Sequence, residues 1–333
     1  MGIRILKGGM MTTVQDLGRY GYQSQGFSVA GVMDVRSFKI ANLLLDNPEN
    51  EAVLEITLIG PTLEFTSATI IAITGGDFQP TINGEPAPMY TALYMNKGDV
   101  LKFGSARTGS YIAFSSYLDI PVVMGSRCTN LKSGLGGFKG RKLEADDYIG
   151  FRIKRRYLPF FLSRKLDMDE FDQTEATLRV VMGPQDGMFS KQGIQTFLGS
   201  EYTVTNEFDR MGCRLEGPFI APKKTSDIIS DGIAFGAIQV PSHGKPIILL
   251  ADRQTTGGYG KIATVASVDI PKLVQRKTDD KIHFKAITVQ EAQALYVEEM
   301  KELDGLRKII HQPCKEVLDC RLVAKRLRKL FEE

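Results

Sequence analysis

The chain is poor in the residues that most nucleophilic and metal-dependent sites use. Its 333 residues include only three histidines and four cysteines. His243, His283 and His311 are widely separated in sequence, and neither a GxSxG nucleophile motif nor an HExxH metal motif occurs. The sequence therefore predicts neither a histidine-dependent hydrolase of a known motif type nor a metal site.

Long apolar runs and a strong net charge are also absent. No run approaches the ~20 apolar residues that a membrane-spanning helix needs, and residues 1–6 lack the apolar segment of a secretory signal. The net charge of +3 is too small to indicate a nucleic-acid partner. The cysteines are spaced for neither a disulfide framework nor a zinc site: Cys128, Cys213, Cys314 and Cys320. We therefore expect a cytoplasmic protein with no membrane or nucleic-acid partner.

What the chain does have is glycine and many short apolar runs. The 33 glycines, against 14 prolines, favour a β-rich fold with many turns. Short strands recur between Ala52 and Phe114 without helices between them, and Asn83-Gly84 is a two-residue hairpin signal. This spacing predicts a barrel or sandwich rather than a parallel α/β sheet. In the first half, Ser37 to Leu45 has clear helical periodicity.

A charged stretch at residues 152–176 predicts a boundary between two domains. We expect a β lobe with a glycine-rich site loop at residues 1–165, a second β lobe at 166–290 and a helical tail at 291–333. Thr288 and Glu291 have the spacing of a capping box, which predicts the start of a first terminal helix. Residues 314–331 repeat helical periodicity with a basic face, which is either simply solvated or docks against an acidic partner.

The stretch from Ala237 to Tyr259 concentrates polar residues after two apolar runs. Those runs, Ala237–Val240 and Pro246–Ala251, flank a proline- and glycine-containing turn and predict a buried hairpin. Asp252, Gln254, Thr255 and Thr256 follow, then Gly257, Gly258 and Tyr259, where the glycine pair predicts a sharp turn with exposed backbone N–H groups. The alternative is that these polar side chains only satisfy the backbone of a turn.

A second polar group lies in the glycine-rich front loop, Met10 to Asp34. It carries Gln15, Asp16 and Arg19, and Arg127 follows a later apolar run. Together with Gln239 and Asp252, these side chains are of the types that bind a small polar substrate and stabilise charge on an amide oxygen. They would equally suit a binding module without catalysis, and Asp16 and Arg19 would equally brace a turn. No phosphate-loop motif occurs, and the glycines at 134 and 136 do not fit a dinucleotide fingerprint.

Several long segments resemble the allophanate hydrolase subunit 2 (KipA) family. They are TTVQDLGRYGYQSQGF with GVMD (residues 12–34), GGDFQPTING (75–84), MGSRCT (124–129), DRMGCRLEGP (209–218) and GAIQVP with LLADRQTTGGYGKIATV (236–265). The resemblance implies two cyclophilin-like β lobes. It also implies a component of ATP-dependent 5-oxoprolinase, which converts 5-oxo-L-proline to L-glutamate. Its partners would be the A and B subunits of that enzyme, of which the B subunit is KipI-like, and ATP would be bound by the complex.

The resemblance also implies roles for the polar residues. Arg19 and Arg127 would neutralise charge that develops on the lactam oxygen or on phosphate, and Asp252 would orient the lactam N–H or an attacking group. The remaining residues would bind substrate: Gln15, Asp16, Gln239, Gln254, Thr255, Thr256, Gly257, Gly258 and Tyr259. Because the segments are also similar to half of the carboxyltransferase domain of urea carboxylase, a biotin-dependent urea or amide carboxyltransferase is an alternative. A non-catalytic antagonist that binds a kinase-inhibitor partner is another.

Overall fold

The computed structural model describes residues 1–168 and 174–313. The second predicted terminal helix, residues 314–331, lies outside the described residues. Within the described ranges the chain forms 20 β-strands and four α-helices, so the prediction of a mainly β fold with few helices is confirmed. The predicted domain boundaries at 165/166 and 290/291 stay predictions.

Two packed β-sheets form what we call the first lobe. Its strands are β1 (Gly2–Lys7), β2 (Met11–Gln15), β3 (Val53–Ile59), β4 (Thr62–Phe65), β5 (Thr69–Gly75), β6 (Thr81–Ile82), β7 (Glu85–Pro86), β8 (Ala92–Met95), β9 (Val100–Lys102), β10 (Ser105–Phe114) and β11 (Tyr148–Gly150). One sheet has the order β11-β1-β4-β9-β6-β7 and the other has the order β2-β3-β10-β5-β8. Fully buried side chains of both sheets share one core, including Ile3, Leu54, Phe65, Ile112 and Phe114. Burial of each stabilises the fold by about 1.5–3 kcal/mol.

Helix α1 (Val35–Leu44) packs a buried apolar face, including Phe38 and Leu44, in a second core of the first lobe. Asp34 caps it, because the Asp34 carboxylate accepts the Ser37 N–H (2.8 Å). The helix lies where the periodicity of Ser37–Leu45 predicts it. Its cap also fixes the end of the front loop.

A closed seven-stranded barrel follows the first lobe. The strands of this half are β12 (Glu175–Met182), β13 (Tyr202–Phe208), β14 (Gly212–Glu216), β15 (Asp227–Gly232), β16 (Ala237–Gln239), β17 (Ile247–Leu249), β18 (Thr256–Tyr259), β19 (Lys261–Val265) and β20 (Lys281–Ala286). The barrel order is β12-β19-β16-β17-β14-β13-β20, and the parallel pair β12–β20 closes it. Helix α2 (Lys191–Gly199) packs Phe197 onto Phe284 in the barrel core, with ring centroids 4.5 Å apart.

The predicted hairpin is present, but the predicted glycine turn is not. β16 and β17 pair antiparallel on either side of the turn at residues 241–246. Gly257 and Gly258 lie instead in β18, which pairs with β15, and neither has a positive φ angle. The turn prediction was wrong because pairing with β15 holds this glycine pair in an extended conformation. The residues near the glycine pair do not indicate that β15 is its partner.

Helix α4 (Val289–Ile310) begins as predicted. The Thr288 hydroxyl accepts the Glu291 N–H (3.2 Å), and the Glu291 carboxylate accepts the Thr288 N–H (2.7 Å), so the capping box is confirmed. The helix packs back on α1, with Leu303 and Ile310 buried, and Glu302 pairs with Arg36 across the contact (3.2 Å). α4 therefore packs on the first lobe through these residues and is not a free extension.

One buried carboxylate ties the short helix α3 (Ile270–Val274) to the barrel. Asp269 is fully buried and accepts the Arg179 backbone N–H (2.8 Å), the Arg179 guanidinium (2.6 and 2.7 Å) and the Lys272 ammonium (2.8 Å). Burial opposes its negative charge. The hydrogen bonds from Arg179 and Lys272 outweigh burial and lower the pKa of Asp269 below its ordinary 3.8.

This lowered pKa predicts an acid-sensitive contribution to stability. The contribution of Asp269 is complete above the unfolded-state pKa and is lost as the pH falls through the lower folded-state value. In Asp269→Asn, the free energy of unfolding should be lower at neutral pH and should fall less steeply below about pH 4. Urea denaturation over a pH series measures this slope. The exposed Asp304→Asn on α4 is the matched control and should keep the wild-type slope; a wild-type slope in Asp269→Asn would contradict the assignment.

Candidate functional site

A buried arginine joins the barrel to the first lobe. Arg210 follows β13, and its Nε and Nη2 atoms donate to the two oxygens of Asp252 (both 2.9 Å). Nη2 also donates to the Gly31 carbonyl of the front loop (2.6 Å), and Nη1 pairs with Glu55 of β3. Glu55 and Asp252 are only 3% and 6% exposed. We call Arg210, Glu55 and Asp252 the interlobe ion cluster.

Burial and charge balance within this cluster decide its protonation. Burial disfavours the Arg210 cation, but Glu55 and Asp252 outweigh burial and raise the pKa of the guanidinium above its ordinary 12.5. Arg210 therefore stays a cation across the physiological pH range.

Tyr111 extends the cluster on the first-lobe side. Its hydroxyl is hydrogen-bonded to Glu55 and accepts the Asp34 N–H (2.8 Å), while Glu55 also accepts the Met33 N–H (2.8 Å). Burial, followed by the charges of Glu55 and Asp34, raises the pKa of Tyr111 well above its ordinary 10.0. Tyr111 is therefore a neutral hydrogen-bond donor beside a carboxylate.

The next contact along the lobe interface is made by the Gln275 side chain. Its Nε2 donates to Asp34 Oδ2 (2.8 Å) and to the Gly109 carbonyl (3.1 Å), and its Oε1 accepts the Gly109 N–H (3.2 Å). Because Gln275 caps α3, these bonds fix the C-terminal end of that helix against β10.

A cavity of about 300 Å³ lies beside these groups, and we call it the interlobe pocket. Its apolar wall is made of Met11, Met33, Leu58, Phe208 and Val274. Its polar wall includes Glu55, Thr57, Tyr111, Asn206, Asp209, Arg210, Arg276 and Thr278. Apolar walls with a few converging polar groups, and ionisable groups of shifted pKa, are typical of small-molecule sites.

The predicted front-loop residues form a separate buried polar cluster. Asp16 accepts the Gly18 N–H (2.9 Å), the Ser126 hydroxyl (2.6 Å) and the Arg127 N–H (2.6 Å). Arg19, which is 1% exposed, donates to the carbonyls of Val123 and Cys128 (both 3.1 Å). These bonds fold the front loop onto residues 123–128.

The other two members of this group also bind backbone carbonyls. Gln15 Nε2 donates to the Thr129 carbonyl (3.2 Å), and Arg127 Nε donates to the Ile120 carbonyl (3.1 Å). Gln15 Oε1 and Arg19 Nη1 are buried, and neither has a hydrogen-bond partner among the described residues. The side chains of Gln15, Asp16, Arg19 and Arg127 do not line the interlobe pocket.

The predicted late residues divide between two places. Asp252 lies in the interlobe ion cluster and reaches the interlobe pocket through Arg210. Gln239 is buried and donates to the Tyr259 carbonyl at the long distance of 3.4 Å, beside Gly257 of β18. Gln254 and Thr256 are exposed and Thr255 is half-buried, along the strand-and-loop segment that leads away from Asp252.

The front loop nevertheless contacts the segment that carries Asp252. The Ser28 hydroxyl donates to the Arg253 carbonyl (2.8 Å), and Gly31 and Asp252 share Arg210 as a hydrogen-bond donor. The structure thus brings the front loop and Asp252 together around Arg210, whereas the Arg19 side chain bonds to the carbonyls of Val123 and Cys128.

Sequence reasoning missed Glu55, Tyr111, Gln275 and Arg276, and gave Arg210 no site role. Glu55 carried a usable signal, because it is a carboxylate inside the apolar strand VLEITLI, and a buried charge needs a partner. Gln275 and Arg276 follow a five-residue helix and carry no comparable local signal.

Two features are absent from the described ranges of the chain. In residues 1–168 and 174–313, no group of three or more His, Cys, Asp or Glu side chains is placed to hold a metal ion. None of the helices in that part of the chain is both long and apolar enough to cross a membrane.

Comparisons with known proteins place this fold in a family context. Residues 25–286 match the family model described as carboxyltransferase domain, subdomain A and B. The chain is 32% identical over 315 residues to the 5-oxoprolinase C subunit of Escherichia coli (strain K12), covering 93% of this chain and 99% of that protein. It is 32% identical over 302 residues to the 5-oxoprolinase C subunit of Haemophilus influenzae, covering 90% and 96%.

A solved structure gives the same picture at the level of the fold. The crystal structure of the Kluyveromyces lactis urea carboxylase superposes with a TM-score of 0.84 at 26% sequence identity. The match covers 95% of this chain but 30% of that larger chain. The predicted resemblance, including its urea carboxylase branch, is confirmed.

The interlobe ion cluster predicts a large stability effect for Arg210. Arg210→Met leaves Glu55 and Asp252 buried without a cation and should lower the free energy of unfolding by about 3–5 kcal/mol. Adding Glu55→Gln should recover part of this loss, because it removes one uncompensated charge. Equilibrium denaturation of the single and double variants measures both effects.

The matched control is Arg214→Met on the adjacent strand β14. Arg214 pairs with Glu207 at the surface, with both side chains at least half exposed, so its loss should cost less than about 1 kcal/mol. Equal effects of Arg210→Met and Arg214→Met would contradict the role of the cluster.

Proposed function

The chain belongs to the family of carboxyltransferase domains, subdomain A and B, and we propose that it is the C subunit of an ATP-dependent 5-oxoprolinase. The main support for this proposal is that the chain is similar to two 5-oxoprolinase C subunits over almost their full length. The complex would hydrolyse 5-oxo-L-proline to L-glutamate and would also contain the A and B subunits, of which the B subunit is KipI-like.

The interlobe pocket is the proposed substrate site. Its apolar wall suits the methylene groups of a five-membered lactam, and its polar wall supplies groups for the amide. The second Nη1 N–H of Arg210 is the donor for the lactam oxygen, because one of the two Nη1 N–H groups is used by Glu55. The threonine hydroxyls are acceptors for the lactam N–H. Donors held in place by burial stabilise an oxygen that gains charge better than mobile donors do.

Asp252 acts in this proposal through Arg210. Its two oxygens accept two parallel N–H bonds and so fix the plane of the guanidinium that faces the pocket. Arg19 and Arg127 would support the same group from further away, because their cluster with Asp16 holds the front loop whose Gly31 carbonyl accepts from Arg210. Direct neutralisation of charge by Arg19 and Arg127 stays a prediction.

ATP does not suit the interlobe pocket. Most of the surface that its walls expose is apolar, and Arg210 is already paired with two carboxylates, whereas a triphosphate needs several free cations or backbone N–H groups. We infer that ATP binds elsewhere in the assembled complex.

The proposal predicts the effect of Asp252→Asn on the assembled enzyme. The substitution keeps the shape of the side chain but turns an N–H group toward the Arg210 guanidinium. We expect turnover to fall by at least ~10²-fold, because preorganised donors contribute factors of this size. The assay is 5-oxoproline-dependent ATP hydrolysis by this chain reconstituted with the A and B subunits.

Asp304→Asn is the matched control for that assay. Asp304 is an exposed carboxylate on helix α4, so its loss should leave turnover within about threefold of wild type. Near-normal turnover of Asp252→Asn would contradict the role of Asp252. A correctly assembled complex with no 5-oxoproline-dependent hydrolysis would contradict the proposed function and favour a non-catalytic role.

The structural likeness to urea carboxylase favours a second candidate. A carboxyltransferase for urea or a related amide would use the same pocket for its acceptor, with biotin carried by another chain. Carboxylation of urea that depends on bicarbonate, ATP, a biotin carrier and a biotin carboxylase would support this candidate over 5-oxoprolinase.

A further inference from the structure

A second arginine lines the interlobe pocket, and the interlobe ion cluster does not use it. Arg276 is 3% exposed and forms no ion pair within the described part of the chain. Its Nε donates to the Lys272 carbonyl one helical turn earlier (3.0 Å), while Nη1 is buried without a partner among the described residues. A buried cation without an anion is costly, and such residues are usually satisfied by something that binds.

The backbone at Arg276 is held rigidly between the lobes. The preceding residue, Gln275, is bonded to Asp34 and to both polar groups of the Gly109 backbone. The Arg276 N–H donates to the Leu273 carbonyl (2.9 Å). A side chain that starts from a fixed backbone loses less freedom on binding a ligand.

The pocket's carboxylates are already engaged. Glu55 pairs with Arg210, and Asp209 accepts two backbone N–H groups of the turn that follows it (2.7 and 3.1 Å). Neither of them forms an ion pair with Arg276. Burial lowers the pKa of Arg276 below its ordinary 12.5, and the charge of Asp280 offsets burial only in part. Arg276 is therefore a cation whose charge no group within the described pocket neutralises.

We propose that Arg276 binds the carboxylate of a small ligand whose ring lies against the apolar wall of the interlobe pocket. This inference rests on the proposed function and adds to it a residue that distinguishes 5-oxo-L-proline from the same lactam without a carboxylate. The planar guanidinium presents two parallel N–H groups, which match the two oxygens of a carboxylate. The mostly apolar walls favour a carboxylate on a small ring over a free, strongly hydrated phosphate.

A larger cleft of about 800 Å³ also borders Arg276. This charged cleft is lined by four glutamates together with Arg36, Arg179, Lys272 and His283. Its glutamates are Glu175, Glu298, Glu299 and Glu302. Arg36 pairs with two of them, and Arg179 and Lys272 pair with Asp269, so these cations are less available to an anion than Arg276 is. Lys272 lines the charged cleft but not the interlobe pocket. A substitution of Lys272 therefore tests whether the carboxylate binds in the charged cleft.

The test compares two probes in each variant by titration calorimetry on the full chain. The probes are 5-oxo-L-proline and 2-pyrrolidinone, which is the same lactam without the carboxylate. Wild type should bind 5-oxo-L-proline about 10- to 100-fold more tightly, which is the usual effect of a hydrogen bond to a charged group. In Arg276→Gln this preference should fall to within about threefold. The ratio within one variant cancels a general loss of folded protein.

Two further variants sharpen the result. Arg276→Lys keeps the charge but loses the planar fork, so its preference should be intermediate. Lys272→Gln removes a positive charge one helical turn away and should keep the wild-type preference. A preference that falls in Lys272→Gln and not in Arg276→Gln would place the carboxylate in the charged cleft and overturn the proposal.

The remaining outcomes separate this inference from the proposed function. An unchanged preference in Arg276→Gln would overturn the role of Arg276 and leave the proposed function standing. If inorganic phosphate displaces 5-oxo-L-proline from wild type, the site is a phosphate site and the carboxylate assignment is wrong. If 5-oxo-L-proline binds neither the chain nor the complex assembled with the A and B subunits, both proposals fail.

Discussion

One arginine between two buried carboxylates holds the two lobes in register. Arg210 comes from the barrel, Glu55 from the middle of a first-lobe strand, and Asp252 from the end of the hairpin in the barrel. Each charge alone would be expensive in this setting, and each is tolerated because the other two are present. A displacement of one lobe relative to the other would break several hydrogen bonds at once. The interface between the lobes is therefore specified by charge as well as by apolar packing.

The remaining interlobe contacts extend this constraint. The front loop delivers the Gly31 carbonyl to Arg210 and the Ser28 hydroxyl to the segment after Asp252. Gln275 binds the backbone of Gly109 on the other side. The interlobe pocket lies among these contacts, so its walls come from both lobes, and Arg210 is fixed by bonds to Asp252 and Gly31, which do not line the pocket. A site built this way keeps its donors in place without a ligand.

The sequence predicted correctly those elements that are determined by residues close together in the chain. The Asn83-Gly84 turn, helix α1, the hairpin of β16 and β17 and the capping box of α4 all depend on residues within a few positions of one another. The partners of Arg210 do not: Glu55 is 155 residues away and Gly31 is 179 residues away. Charge patterning marks Glu55 as unusual within an apolar strand, but it does not identify the cation that satisfies it.

The same limit explains the site predictions. Asp252 was singled out because it ends an apolar strand, and it does lie in the buried cluster beside the pocket. The glycine pair after it was expected to turn, but β15 is a strand partner that cannot be recognised from the pair itself. Arg276 was missed because a single arginine after a short helix has the appearance of an ordinary surface cation. Only the packing of the two lobes buries it.

The central claim is that the pocket between the lobes, organised by Arg210, receives the lactam. The most direct measurement is a crystal structure of the chain with 5-oxo-L-proline bound. The account predicts the ligand in the interlobe pocket, with its carboxylate within hydrogen-bond distance of Arg276. An ordered ligand in the charged cleft or beside Gln239, with the interlobe pocket empty, would contradict it.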